Sequence, residues 1–168
     1  PYVVQSMKDI AAKGSSMKNN VFIKVGDSHM DSSAGCGAVF MVCYSNTKST
    51  KPNLNGATFL QSAIDEFQSS IDSYIRESKS AKLGKTASWA NEGYLTTEIN
   101  ELSPRFAFYG YGSNDMGWFG YTRPTNSSDE GYFYTLQWYY RQVKKGMNTM
   151  MDKGVIPLLI GTGIRNDK

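Results

Sequence analysis

The chain has 168 residues, 40% apolar and 20% charged, which suits a single domain with a real core and argues against wholesale disorder. A net charge of +3, evenly spread, argues against a nucleic-acid or membrane-surface protein, and no apolar run approaches the roughly 20 residues of a membrane-spanning helix. With one histidine, His29, a histidine-rich zinc site is excluded, and a Cys/His set would need it together with both Cys36 and Cys43.

Residue 1 is Pro and no charged-then-apolar leader precedes it, so a processed, trimmed or partial chain is expected. Residues 2–13 read as a helix, with Val3, Val4, Met7, Ile10 and Ala11 at helical spacing and Gly14 ending it. Val21, Phe22, Ile23, Lys24 and Val25 make a short buried strand that Gly26 turns. Residues 28–57, rich in Gly, Ser and Asn, read as a long loop of the kind that is functional or stapled. Within it Cys36 and Cys43 either close a small disulfide in an oxidising compartment or remain two buried thiols. Residues 59–74 have helical spacing through Phe59, Ala63, Phe67, Ile71 and Tyr74, and residues 79–83 are a weak strand candidate. Residues 91–102 read as a helix with Leu95, Ile99 and Leu102 on one face, stopped by Ser103 and Pro104.

Phe106, Ala107, Phe108 and Tyr109 form a second buried strand, ended by Gly110 and Gly112. Residues 117–130 are a polar loop carrying the glycosylation triplet Asn126, Ser127, Ser128. A long helix over 132–151 is closed by Lys153 and Gly154, and a third buried strand runs from Val155 to Ile160. Strands that are apolar throughout and separated by helices predict a parallel sheet covered on both faces. In such sheets the chemistry lies past the carboxyl ends of the strands. Three of those ends carry polar, glycine-rich text: Gly26-Asp27-Ser28, Gly112-Ser113-Asn114-Asp115 and Gly161-Thr162-Gly163.

A serine directly after a strand and a Gly-Asp turn can present both its hydroxyl and its own N–H to the crevice, as a nucleophile that also helps hold an oxyanion. The structural alternative for Ser28 is an ordinary N-cap. The Asn114 amide is a neutral donor suited to the same oxyanion, or else a cap for the next element. Asp115 is expected to anchor its loop by accepting backbone N–H groups.

Val25-Gly26-Asp27-Ser28 and Tyr111-Gly112-Ser113-Asn114-Asp115 resemble the first and third sequence blocks of the SGNH (GDSL-like) hydrolases. Each block closes its own strand, in the family's order, and the resemblance spans most of the chain. It implies a flavodoxin-like three-layer α/β/α sandwich with at least four parallel strands, forming one domain over residues 1–168. It also implies a secreted serine esterase acting on acyl or acetyl esters, including those of carbohydrates, with no cofactor. Ser28 would be the nucleophile, with Asp27 and Asp115 in support. The Ser28 N–H, the Asn114 amide and the N–H of Gly84, the best candidate for the second-block glycine, would form the oxyanion hole. The family's late Asp-x-x-His block has no counterpart here, because the sequence stops at Asn166-Asp167-Lys168 after the fourth strand of the family pattern.

The base is therefore expected beyond residue 168, and without it the chain should be nearly inert as an esterase. His29 does not substitute easily, because adjacent side chains diverge. The competing reading is a non-catalytic binding or assembly module on the same scaffold. Either way the apolar edge from Val155 to Ile160 invites a covering C-terminal segment or neighbouring subunit. Thirteen of the 22 aromatics lie between Phe106 and Tyr140. Trp118, Phe119 and Tyr121 follow Asn114 and are candidate substrate contacts, whereas Tyr132, Tyr134, Trp138, Tyr139 and Tyr140 cannot all face inward from one helix.

Overall fold

The computed structural model describes residues 2–31, 57–118 and 130–161, without the side chains of 116–118 and 130–135. Its centre is a parallel sheet of three strands, β1 (Lys18–Gly26), β2 (Pro104–Gly110) and β3 (Ile156–Leu159), in the order β1-β2-β3. The helices are α1 (Tyr2–Ala12), α2 (Gln61–Gln68), α3 (Leu95–Leu102), α4 (Ser113–Trp118) and α5 (Glu130–Asp152). The protein is thus a mixed α/β fold with a small parallel sheet.

Successive strand side chains point to opposite faces, and both faces are apolar. Ile23 and Val25 of β1 and Ala107 and Tyr109 of β2 pack with Leu95 and Ile99 of α3 and Met150 of α5. On the other face Phe22, Phe106 and Phe108 meet Ile64 and Phe67 of α2 and Tyr74. That side is an aromatic cluster: Phe22 stands edge-on to Phe67 at 5.4 Å, Tyr74 at 5.0 Å and Phe108 at 5.0 Å. Lys24 shares this face and is buried, and its ammonium donates to the Tyr74 carbonyl at 2.7 Å. Burial, with the Arg76 guanidinium second, pushes its pKa down to about 8.

Several sequence expectations change. The helix expected over 59–74 stops at Gln68, where the Ser69 hydroxyl donates to the Glu66 carbonyl at 2.7 Å. Asp72 then accepts the N–H groups of Tyr74 and Ile75, turning the chain so that Tyr74 enters the aromatic cluster from a turn. The strand expected at 79–83 is a single parallel bridge, Gly26 to Ala81. Where four strands were expected, the sheet therefore has three among the described residues. The helix expected from Asn91 begins as a wide π-turn, Ala90–Tyr94, with Gly93 at φ 110°. The third strand is not buried throughout: Val155 and Ile156 are buried, but Leu159 is 67% exposed. Its far edge is unpaired among the described residues. On α1, Val3 and Val4 are exposed and no residue is buried.

At the amino ends of the strands one guanidinium ties together the end of α1, the turn into β1, β1 itself and the turn into β3. Arg105 donates to Asn19 Oδ1 and to the carbonyls of Ala11, Gly14, Met17 and Gly154, between 3.0 and 3.3 Å. It occupies the end of α1, the turn into β1 and the turn into β3, and the rigid fork of donors is what lets a single side chain do this. Arg105→Met strands several buried carbonyls and should cost about 3–5 kcal/mol, or about 10 °C in melting temperature. Arg105→Lys should recover only part of this, as thermal and urea denaturation will show.

Candidate active site

The site grows from the paired ends of β1 and β2. Gly26 and Gly110 are direct partners in the parallel register. A Cβ on Gly26 would come within 2.5 Å of the Gly110 carbonyl oxygen and of Met30 Cγ, so the first glycine of the motif is demanded by packing. After Gly26 the chain coils into a turn. Met30 and Asp31 both donate their N–H to the Asp27 carbonyl at 3.0 Å. The buried Asp27 carboxylate accepts the His29 N–H at 3.1 Å and pairs with His29 Nδ1 at 3.0 Å through Oδ1. Its Oδ2 is buried with no partner among the described residues. Ser28 is half-buried on this turn, and His29 is exposed.

The next wall is residues 80–87. Gly26 donates its N–H to the Ser80 carbonyl at 3.2 Å, and Lys82 donates to the Gly26 carbonyl at 2.9 Å. Beyond this bridge the segment is held by side chains from both neighbours. Asp31 Oδ2 accepts the Leu83 N–H at 2.7 Å. The Asn114 amide donates to the Lys85 carbonyl at 3.0 Å, and Asp115 accepts the Ala87 N–H at 3.0 and 3.2 Å. Gly84 lies between Leu83 and Lys85 at φ 74°, where an added Cβ would touch nothing, so its requirement is conformational. The loop bearing Gly84 is therefore tethered on one side to the Ser28 turn and on the other to Asn114 and Asp115.

Asp115 is fully buried, and burial pushes its pKa up to about 6. The N–H groups of Ala87 and of Asp115 itself work against that rise, and the charge of Asp27 adds to it. Tyr111 closes the floor, donating its hydroxyl to the Ser80 carbonyl at 2.8 Å, and Tyr139 of α5 donates to the Tyr111 carbonyl at 2.7 Å.

The sequence did not single out Asp31 as a tether, nor the Asp27–His29 pair. An Asp at the first position of a turn with a polar residue two places on was the available signal. Cys36, Cys43, Phe119, Tyr121 and Asn126 lie outside the described residues, as does the side chain of Trp118. Among the described residues no cluster of three or more His, Cys, Asp or Glu could hold a metal, and no helix is long and apolar enough to cross a membrane. No family model, curated protein or solved structure matches the chain.

The raised carboxyl gives a pH signature with a definite sign. An acid whose pKa rises from 3.8 to about 6 on folding binds its proton more tightly in the native state. Its contribution is most favourable below pH 4 and is lost as pH rises through 6. Asp115→Asn should remove this slope. The stability difference between variant and parent should move by about 2–3 kcal/mol in the variant's favour from pH 4 to pH 7, read by urea denaturation at each pH.

Proposed function

We propose that this chain carries the nucleophile and oxyanion machinery of an SGNH-type serine ester hydrolase on a flavodoxin-like sandwich. The observation that carries the reading is the order of segments across the sheet. Ala81 bridges to one side of β1, and β2 then β3 follow on the other. Counting the bridge as a rudimentary second strand gives 2-1-3-4, the flavodoxin-like sequence of strands, whose order reverses at β1. Open α/β sheets bind ligands at that reversal, outside the carboxyl ends of the strands. Ser28 follows β1, Asn114 follows β2, and Gly84 lies on the loop tied to both.

In this reading the Ser28 oxygen attacks the ester carbonyl carbon as its proton passes to a base. The N–H groups of Ser28 and Gly84 and the Asn114 amide receive the developing oxyanion. An amide nitrogen carries two hydrogens, so the bond to Lys85 orients Asn114 while a second N–H remains to donate. Collapse expels the alcohol, which takes the proton from the base, and water repeats the sequence on the acyl-enzyme.

His29 is not assigned as that base. It sits next to Ser28 on a helical turn, where successive side chains diverge by about 100°. The reading gives the base to a histidine beyond Lys168, and places the protein outside the cytoplasm. A non-catalytic assembly role remains the alternative, favoured by the exposed Leu159 on an edge strand.

A serine-directed fluorophosphonate decides between them. With the chain supplied together with any sequence that follows Lys168, labelling at Ser28 is expected, and Ser28→Ala abolishes it. Asn114→Ala should slow ester turnover about 10²–10³-fold. Absence of labelling in that full-length protein would refute the reading.

A further inference from the structure

Beside the Gly84 loop lies a pocket of about 180 Å³, lined by Gly84, Lys85, Thr86, Ser88, Trp89 and Glu92. This is smaller than the roughly 300–1,000 Å³ that enclose drug-sized ligands, so it suits one ring. Its wall is held in place by several contacts. Trp89 and Tyr94 stack at 3.9 Å with planes 15° apart. Residues five apart on an α-helix lie about 140° apart around the axis, so this stack depends on the wide turn at Ala90–Tyr94 and on Gly93 within it. The indole N–H is spent on the Lys79 carbonyl at 3.2 Å, which fixes the ring. The Lys85 ammonium stands over the same indole, 4.6 Å from its centre.

The polar groups select the ligand. Lys85 only donates, Glu92 only accepts, and the hydroxyls of Thr86 and Ser88, 3.1 Å apart, do both. An alkyl chain would desolvate both charges without replacing their hydrogen bonds. An anion would meet the Glu92 carboxylate, and a cation the Lys85 ammonium. A neutral ring bearing several hydroxyls offers each wall group the partner it needs.

We infer that this pocket binds a neutral sugar ring. The pocket adjoins the candidate oxyanion loop through Gly84 and through Lys85, whose carbonyl holds Asn114.

The test is binding, independent of turnover. The ¹⁵N-labelled chain is titrated with methyl β-glucopyranoside, and in parallel with glucuronate as the anionic control. The glucoside should give saturable shifts centred on the amides of Gly84 to Glu92 and on the Trp89 indole N–H, with glucuronate weaker. Glu92→Gln and Lys85→Met, each with an otherwise native spectrum, should weaken glucoside binding about tenfold. Absent or unsaturable shifts, shifts centred elsewhere, or binding that both variants leave unchanged would overturn the inference. Fluorophosphonate labelling of Ser28 separates the two readings. Sugar shifts without labelling sink only the hydrolase, and labelling without sugar shifts sinks only the sugar site.

Discussion

One buried carboxylate replaces what a strand ladder would supply elsewhere. Glu98 of α3 is 1% exposed and accepts from Arg76 Nη1 at 2.7 Å, Ser78 Oγ at 2.5 Å, the Ser80 N–H at 2.9 Å and the Ser80 hydroxyl. A buried charge is tolerated when it is paired and its lone pairs are filled, as here. The consequence is positional. The segment 76–81 has a single bridge to β1, so side chains supply most of its ties: Ser78 accepts the Lys24 N–H, Ser80 donates to the Lys24 carbonyl, and Glu98 anchors the same segment to α3. Ser80 then passes the constraint on, because its carbonyl accepts both the Gly26 N–H and the Tyr111 hydroxyl. The loop carrying Gly84 starts from that fixed point.

The buried carboxylates nearest the candidate site create a tension. Asp27 and Asp115 are both fully buried, and an oxyanion forming nearby would be opposed by their charge. Their mechanical roles differ. Asp27 closes the turn through His29, and Asp115 grips the Ala87 N–H. In both cases a carboxylate oxygen accepts a backbone N–H group and so fixes the local chain. The cost is visible in Asp115, whose pKa rises to about 6 through burial and through the neighbouring charge of Asp27. An ester hydrolase working above that pH would carry the Asp115 charge and would depend on Ser28, Gly84 and Asn114 to outweigh it.

The sheet was largely legible in the sequence, because its strands are runs of apolar residues closed by glycine. β1 and β2 each extend to the expected Gly26 and Gly110. The helix that failed, 59–74, failed for a reason that periodicity does not see. Phe67 and Tyr74 do converge in one cluster, as a helical face would suggest, but Asp72 capping places Tyr74 there from a turn. The sheet's edge at Ala81 was faint because side-chain bonds from Glu98 replace the apolar alternation that marks a strand. Buried Lys24, Glu98 and Arg105 were illegible for the same reason: their partners lie far along the chain, up to 94 residues away for Arg105 and Ala11.

What singles out Ser28 is how fully its neighbours are accounted for. Gly26 is needed because its backbone lies against the Gly110 carbonyl. Asp27 caps the turn, Met30 packs over both glycines, and Asp31 holds Leu83. Each of these residues is explained by folding alone, so a Gly-Asp start says more about a tight strand end than about chemistry. The Ser28 hydroxyl makes no hydrogen bond to any described residue. It is half-buried at the mouth of the sheet, one residue from a carboxylate that fixes the backbone on either side of it. These contacts fix the Ser28 backbone at the carboxyl end of β1, which is the placement that the proposed nucleophile requires.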